Sequence, residues 1–339
     1  MLDCTVHLGC TVHLDCTVRV STTERIFMKI NRSVRFGIGI MAIAFAATAC
    51  GGGEENKSIT ESASDGTLTV GIKFDQPGLG QRNPDGTFSG FDVEVARYIA
   101  NELGVKPEGI TFKESPSAQR ETLIQNGEVD YIVATYSITD TRKEKVSFGG
   151  PYFIAGQSLL VRSDNTDITG PDSLTGGKKL CSVSGSTPAQ NIQDNYAKDV
   201  QLQPLDTYSA CVEALRNGAV DAVTTDDIIL AGYAAQYPGE LKVVGEPFTT
   251  EKYGVGLAKD DSEGRGKIND AIEKMISTGA WEEASTTPLV LRATPSRPRP
   301  PLIVTDLLFS PSISLRLPTS GAAARDATNG DPVIWGDGK

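Results

Sequence analysis

Between residues 66 and 280 the apolar positions switch back and forth between an extended and a helical period. Thr67–Lys73 is an apolar, β-branched run and predicts a strand. Phe91, Val95, Tyr98 and Ile99 then recur at helical spacing. Ile110–Lys113 predicts a strand. Ala118–Gln125 predicts a helix that Gly127 closes, and Val129–Thr135 predicts the next strand. Strand and helix in alternation predict an α/β fold with parallel sheets covered by helices.

Two long extended runs, Tyr152–Val161 and Lys252–Leu257, bracket a second series of the same kind. That series reads Lys179–Val183 strand, Pro188–Tyr196 helix, Tyr208–Arg216 helix, Val220–Thr225 strand, Ile228–Ala235 helix and Leu241–Val244 strand. A chain that leaves one lobe, builds another and returns gives two lobes joined by two crossover strands. The expected division is 66–155 plus 253–287 for lobe 1 and 156–252 for lobe 2. Ligands of open α/β sheets sit beyond the carboxyl ends of the strands. Two facing sets of strand ends therefore make a cleft suited to hinge closure. A last helix, about Glu263–Gly279, leads to Trp281, and residues 288–339 are Pro-, Ser-, Arg- and Ala-rich without a period, as in a disordered or aberrant tail.

The N-terminus follows other rules. Residues 4–21 repeat a six-residue unit, CTVHLG, CTVHLD, CTVRVS, and three copies are too few for a stacked solenoid. Cys4, Cys10 and Cys16 with His7 and His13 permit a metal reading; the alternative is that residues 1–27 are a spurious or upstream stretch. From Met28, a basic segment (Lys29, Arg32, Arg35) precedes an apolar one, Phe36 to Ala47, and small residues precede Cys50. Residues 28–49 thus read as a signal peptide. Cys50 followed by three glycines resembles a bacterial lipobox, with Ala47 where leucine is more usual. It implies a lipid on Cys50; the alternative is a secreted protein with that thiol free. Residues 50–65 read as a flexible tether.

Composition narrows the function. The chain has 339 residues, 39% hydrophobic and 22% charged, enough for about two domains. A net charge of −11 argues against nucleic acid as a partner. The only histidines are His7 and His13, so a mature chain without the N-terminal stretch has none. That disfavours Ser-His hydrolysis and zinc catalysis, and no metal or cofactor is expected. Removal of residues 1–49 leaves Cys50, Cys181 and Cys211. With Cys50 lipidated in an oxidising compartment, a Cys181–Cys211 disulfide is expected, against two free buried thiols.

Several segments carry a resemblance: GFDVEVARYIA (90–100), ATYSITDTRKEKVSFGGPYF (134–153) and VDAVTTDD (220–227), with KFDQPGLG (73–80) and CSVSGSTPAQ (181–190). Together they resemble the family 3 solute-binding proteins of polar amino-acid ABC transporters, and among these the actinobacterial glutamate-binding lipoprotein branch. The resemblance covers about residues 65–285. It implies a periplasmic-binding-protein type II fold and an extracytoplasmic, lipid-anchored monomer that passes an amino acid to ABC permease subunits. Glutamate is the first expected ligand, with aspartate, glutamine or asparagine as further options.

A buried zwitterion needs both charges matched. Arg142 follows the SIT segment, and its fork can grip an α-carboxylate. Thr135, Ser137 and nearby backbone N–H groups can add donors. In the second lobe Ser186, Thr187 and Pro188 open a helix, with Thr187 read as its N-cap and its free N–H groups available to an anion. Asp226 ends a strand at the position the family uses for the α-ammonium. Each has a plainer alternative: Arg142 as a surface ion pair, Thr187 as a cap alone, Asp226 as an N-cap with Asp227 as the ligand. Lys73 ends the first strand where acidic-amino-acid binders of the family carry a base; Arg82 is the other candidate for a γ-carboxylate, and Phe74 for a wall against the ligand's aliphatic part. Both bases can instead be solvated. Two further functions remain open: an amino-acid sensor for a membrane signalling partner, and a cyclohexadienyl or arogenate dehydratase-like enzyme with Glu251 or Glu114 as general acid.

Overall fold

The computed structural model describes residues 2–7, 13–18, 57–196 and 200–286. Cys10, the expected signal peptide, Cys50 and the tail from 288 lie outside these residues. In the N-terminal unit, β1 (Leu2–His7) pairs antiparallel with β2 (His13–Val18), so part of the repeat folds on itself as a hairpin, Cys4 opposite Cys16.

The second unit begins with a correction to the expected tether. Residues Ile59–Ser64 form helix α1, closed by a capping box in which Ser58 and Glu61 satisfy each other's backbone N–H groups. Ile59 is buried, and its N–H donates to Asp261 Oδ2 at 2.8 Å. The Ser-x-x-Glu spacing was present in a stretch whose glycines, serines and acids suggest coil; the buried isoleucine decides the outcome.

In chain order follow β3 (Leu68–Ile72), a small three-stranded sheet of β4 (Asp75–Gln76), β5 (Gly80–Arg82) and β6 (Phe88–Ser89), α2 (Phe91–Glu102), β7 (Ile110–Glu114), α3 (Arg120–Gln125), β8 (Tyr131–Ile132), α4 (Asp140–Lys143) and β9 (Ser147–Ala155). The chain then crosses to the other lobe through β10 (Gln157–Arg162), β11 (Lys178–Val183), α5 (Thr187–Asn195), β12 (Val200–Leu205), α6 (Tyr208–Arg216), β13 (Ala222–Asp226), α7 (Asp227–Gln236) and β14 (Leu241–Val244). It returns through β15 (Glu251–Leu257) and ends in α8 (Ser262–Ser277) and α9 (Ala280–Thr286).

Each lobe holds one five-stranded sheet, in the order β7-β3-β8-β15-β9 and β12-β11-β13-β10-β14. The sheets are mixed rather than wholly parallel. In the first, β7, β3 and β8 are parallel while β15 runs antiparallel to β8 and β9. In the second, β12, β11 and β13 are parallel while β10 runs antiparallel to β13 and β14. The reversed strands flank the crossovers. The two crossovers pass so close that a Cβ on Gly156 would lie 2.7 Å from Thr249 O.

Buried aromatics fix the return. Phe91, Phe153 and Trp281 pack with centroids 5.7–6.3 Å apart, and Trp281 Nε1 donates to Tyr152 O at 2.8 Å. Rings at these separations add attraction beyond their area burial. In the second lobe Cys181 and Cys211 form the expected disulfide, joining β11 to α6.

Candidate functional site

Between the two lobes lies a narrow cavity of about 10 Å³. Ser117, Arg120 and Thr135 line it from the first lobe; Ser186, Thr187, Tyr208 and Asp226 line it from the second. An outer groove shares Ser117, Ser186 and Thr187 and adds Arg142, Glu121 and Gly185.

Backbone geometry sets the first wall. The strand expected at Val129–Thr135 pairs only at Tyr131–Ile132, because the chain turns out of the ladder at Thr135, whose φ is +45°. A β-branched residue seldom adopts this conformation. Asp92 holds it there: Oδ2 accepts from Thr135 N at 2.8 Å, and Oδ1 accepts from Tyr152 OH at 2.8 Å. Burial pushes the Asp92 carboxyl up to about 6. The Thr135 hydroxyl donates to Gln76 Oε1 at 3.2 Å.

Three cations stand along this wall. Lys73 Nζ donates to Ser117 Oγ at 2.8 Å. Burial, followed by repulsion from Arg120, lowers Lys73 to about 7. Arg120 is 2% exposed, donates through Nη1 to Ala134 O at 2.9 Å and stands 4.1 Å over the Tyr136 ring. Its Nε has no partner, and burial, followed by repulsion from Arg142, lowers its guanidinium to about 10. Arg142 donates to Ser137 O at 2.7 Å and across the cleft to Gly185 O at 3.0 Å, with Glu121 3.4 Å from Nε.

The second wall supplies an acid and a helix end. Asp226 is 3% exposed and closes β13. It occupies the N-cap position of α7 by sequence, yet its side chain caps nothing: Oδ2 accepts from Tyr253 OH at 2.5 Å and Oδ1 has no partner. Burial, then the neighbouring Glu251, raises it to about 7. Asp227 instead accepts the Gly156 and Ile228 N–H groups. At α5 the N-cap is Ser186, not Thr187 as expected: Ser186 is extended and its Oγ accepts from Ala189 N at 3.1 Å. The one-residue shift frees the Thr187 hydroxyl to donate to Ser137 Oγ at 3.3 Å and to Glu251 Oε2 at 2.9 Å.

Thr135, Ser186, Thr187 and Asp226 thus meet around one cavity, with Lys73 joined through Ser117, and Ser137 and Arg142 at its edge. Arg82 and Phe74 are not brought there. Arg82 is exposed on β5 with its guanidinium 5.9 Å over the Phe74 ring, and Phe74 packs on Phe88 at 4.9 Å. Arg120, Ser117 and Tyr208 escaped the sequence reading. The signal for the first two was their place just after β7, where the carboxyl ends of strands gather ligands.

Comparison with known proteins agrees with this geometry. Residues 68–287 match the bacterial extracellular solute-binding proteins, family 3. The glutamate-binding protein GluB of Corynebacterium glutamicum is 52% identical over 264 residues, 74% of this chain and 89% of that protein. The ABC transporter glutamine-binding protein GlnH of Bacillus subtilis is 36% identical over 256 residues, 73% of this chain and 92% of that protein. An ancestral arginine-binding protein bound to arginine superposes with a TM-score of 0.62 at 35% identity, over 66% of this chain and 98% of that one. With two sheets, two crossovers and a charged cavity between them, the chain belongs to the bacterial extracellular solute-binding proteins, family 3.

Proposed function

We propose that this protein captures a free acidic amino acid, glutamate first, and delivers it to the permease of an ABC importer. The observation that carries the reading is the charge balance of the cavity. Lys73, Arg120 and Arg142 approach from one lobe, and among the described residues only Arg142 has a carboxylate, Glu121, within ion-pair distance. Asp226 faces them with one oxygen unpartnered. A ligand with two carboxylates and one ammonium complements this set. The ammonium goes to Asp226 Oδ1. The α-carboxylate goes to the remaining Arg142 donors and the start of α5, where backbone N–H groups and the helix dipole favour an anion. The side-chain carboxylate goes to Arg120 and, through Ser117, to Lys73. The name of the glutamate-binding relative supports the same choice.

Binding without chemistry belongs to this reading. Glu251 accepts hydroxyl hydrogens from Thr187 and Thr249, and Glu114 is exposed at the end of β7. Neither carboxyl is presented to the cavity, so prephenate and arogenate should pass unchanged. The protein acts outside the cytoplasm as a monomer; Cys50 carries the lipid and residues 28–49 are removed. Mass spectrometry of the N-terminal peptide tests the anchor: an unmodified Cys50 rejects it. Titration calorimetry of the protein with the common amino acids tests the ligand. Tight one-to-one binding of glutamate or aspartate is expected; binding only of basic amino acids overturns the assignment.

A further inference from the structure

Asp75 lies on β4 in the first lobe and reaches across to the second. Its Oδ2 accepts from Ser209 N at 3.1 Å and from Tyr233 OH at 3.3 Å, and its backbone carbonyl also accepts from Tyr233 OH. Each partner is short of alternatives within its own lobe. Ser209 is the second residue of α6, and N–H groups in a first helical turn have no intrahelical acceptor. The cap residue of that helix, Thr207, spends its hydroxyl on Ala210 N. Tyr233 is 2% exposed, so its hydroxyl is dry where it stands. A carboxylate at the start of α6 also suits the helix dipole.

The position of this contact matters as much as its chemistry. Ser209 follows Tyr208, which lines the cavity, and Asp75 follows Lys73 by two residues, where Lys73 holds Ser117 on the opposite wall. Asp75 itself is not among the cavity-lining residues. It ties the two walls together from behind. Arg142, which also crosses the cleft, differs in being a ligand group under the reading above.

We infer that Asp75 is a closure latch: a positioning residue that leaves ligand entry unchanged and slows ligand exit. The inference rests on the proposed capture of an amino acid by lobe closure. When the lobes part, water replaces Asp75 at Ser209 N and Tyr233 OH. Entry occurs through the open form, which lacks the latch; exit requires breaking it. One hydrogen-bonded contact of this kind changes a rate by about three- to tenfold.

The test uses two variants, Asp75→Ala and Tyr233→Phe, each checked for wild-type circular dichroism. Release of radiolabelled glutamate into excess cold ligand gives the exit rate, and equilibrium dialysis gives the affinity. Both variants should release about three- to tenfold faster, with entry within about twofold of wild type. An unchanged exit rate in Asp75→Ala, or slower entry with unchanged exit, overturns the latch. Small-angle scattering of the ligand-free proteins tests closure without any ligand. Asp75→Ala should have a radius of gyration equal to or larger than that of the unaltered protein, and a smaller one overturns the latch. Failure of the unaltered protein to bind glutamate is a different result: it removes the proposed ligand and leaves the scattering test standing.

Discussion

The two walls of the cleft divide the work differently. The first lobe presents long cationic side chains, Lys73, Arg120 and Arg142, beside the Thr135 turn that Asp92 holds. The second presents one acid, Asp226, and the start of α5, with Cys181–Cys211 bracing α6 behind Tyr208. Under the proposed binding mode, recognition of what all amino acids share would be split between the walls, and recognition of an acidic side chain would belong to the first wall alone.

Changes on each side should therefore have different signatures. The largest effect is expected for Asp226→Ala, which leaves any ammonium buried without a counter-ion; loss of one partner of such a pair costs about 2–5 kcal/mol. Calorimetry should show every amino acid weakened by about a hundredfold or more, and retention of glutamine binding would contradict the division. Next, replacing both Cys181 and Cys211 by serine should lower unfolding stability by about 3.6 kcal/mol, as for a closed loop of this size, read as a shifted urea midpoint. The first lobe has no such staple among the described residues, so its exchange-protected core should be little affected.

Lys73→Met should weaken glutamate by about tenfold and leave glutamine within about twofold. Equal losses for the two would move Lys73 out of the side-chain subsite. The pH dependence sharpens the same contrast. Asp226 is raised to about 7, so its ionised form is lost as pH falls below 7 and every amino acid should bind less well there. Lys73 is lowered to about 7, so its charge is lost as pH rises above 7. Glutamate affinity should then fall on both sides of neutrality, by up to about tenfold per pH unit, while glutamine falls only on the acid side. The smallest effect is expected for Arg82→Ala: on its perch over Phe74, outside the cavity, it should change glutamate affinity by less than about twofold.

Much of the scaffold was legible from periodicity. The bounds of α6 and β14 coincide with the expected Tyr208–Arg216 and Leu241–Val244, where amphipathic spacing and a short β-branched run are unambiguous. The β4–β6 sheet was not legible, since strands of two or three residues carry no period. The edge strand β12 was hidden by its glutamines and Pro204. In the site, residues that end strands or open helices, such as Asp226 and Ser186, were readable by place. Arg120 was not, because it sits in a run whose pattern suggests an exposed helix face; only the fold brings Tyr136 beneath it and takes it out of water. Arg82 failed in the opposite sense: its loop has the composition of a ligand loop but folds into a small sheet of its own.

Helix α1 has one more consequence. With Ile59 buried and Asp261 holding its first N–H, the body starts at Ser58 rather than near residue 66. Only seven residues would then separate a lipid on Cys50 from Ser58, a stretch that can span at most about 28 Å. The receptor would patrol a shallow layer over the bilayer rather than roam from it. Its search for a transporter would then be nearly two-dimensional, with a loaded molecule always within reach of the membrane plane.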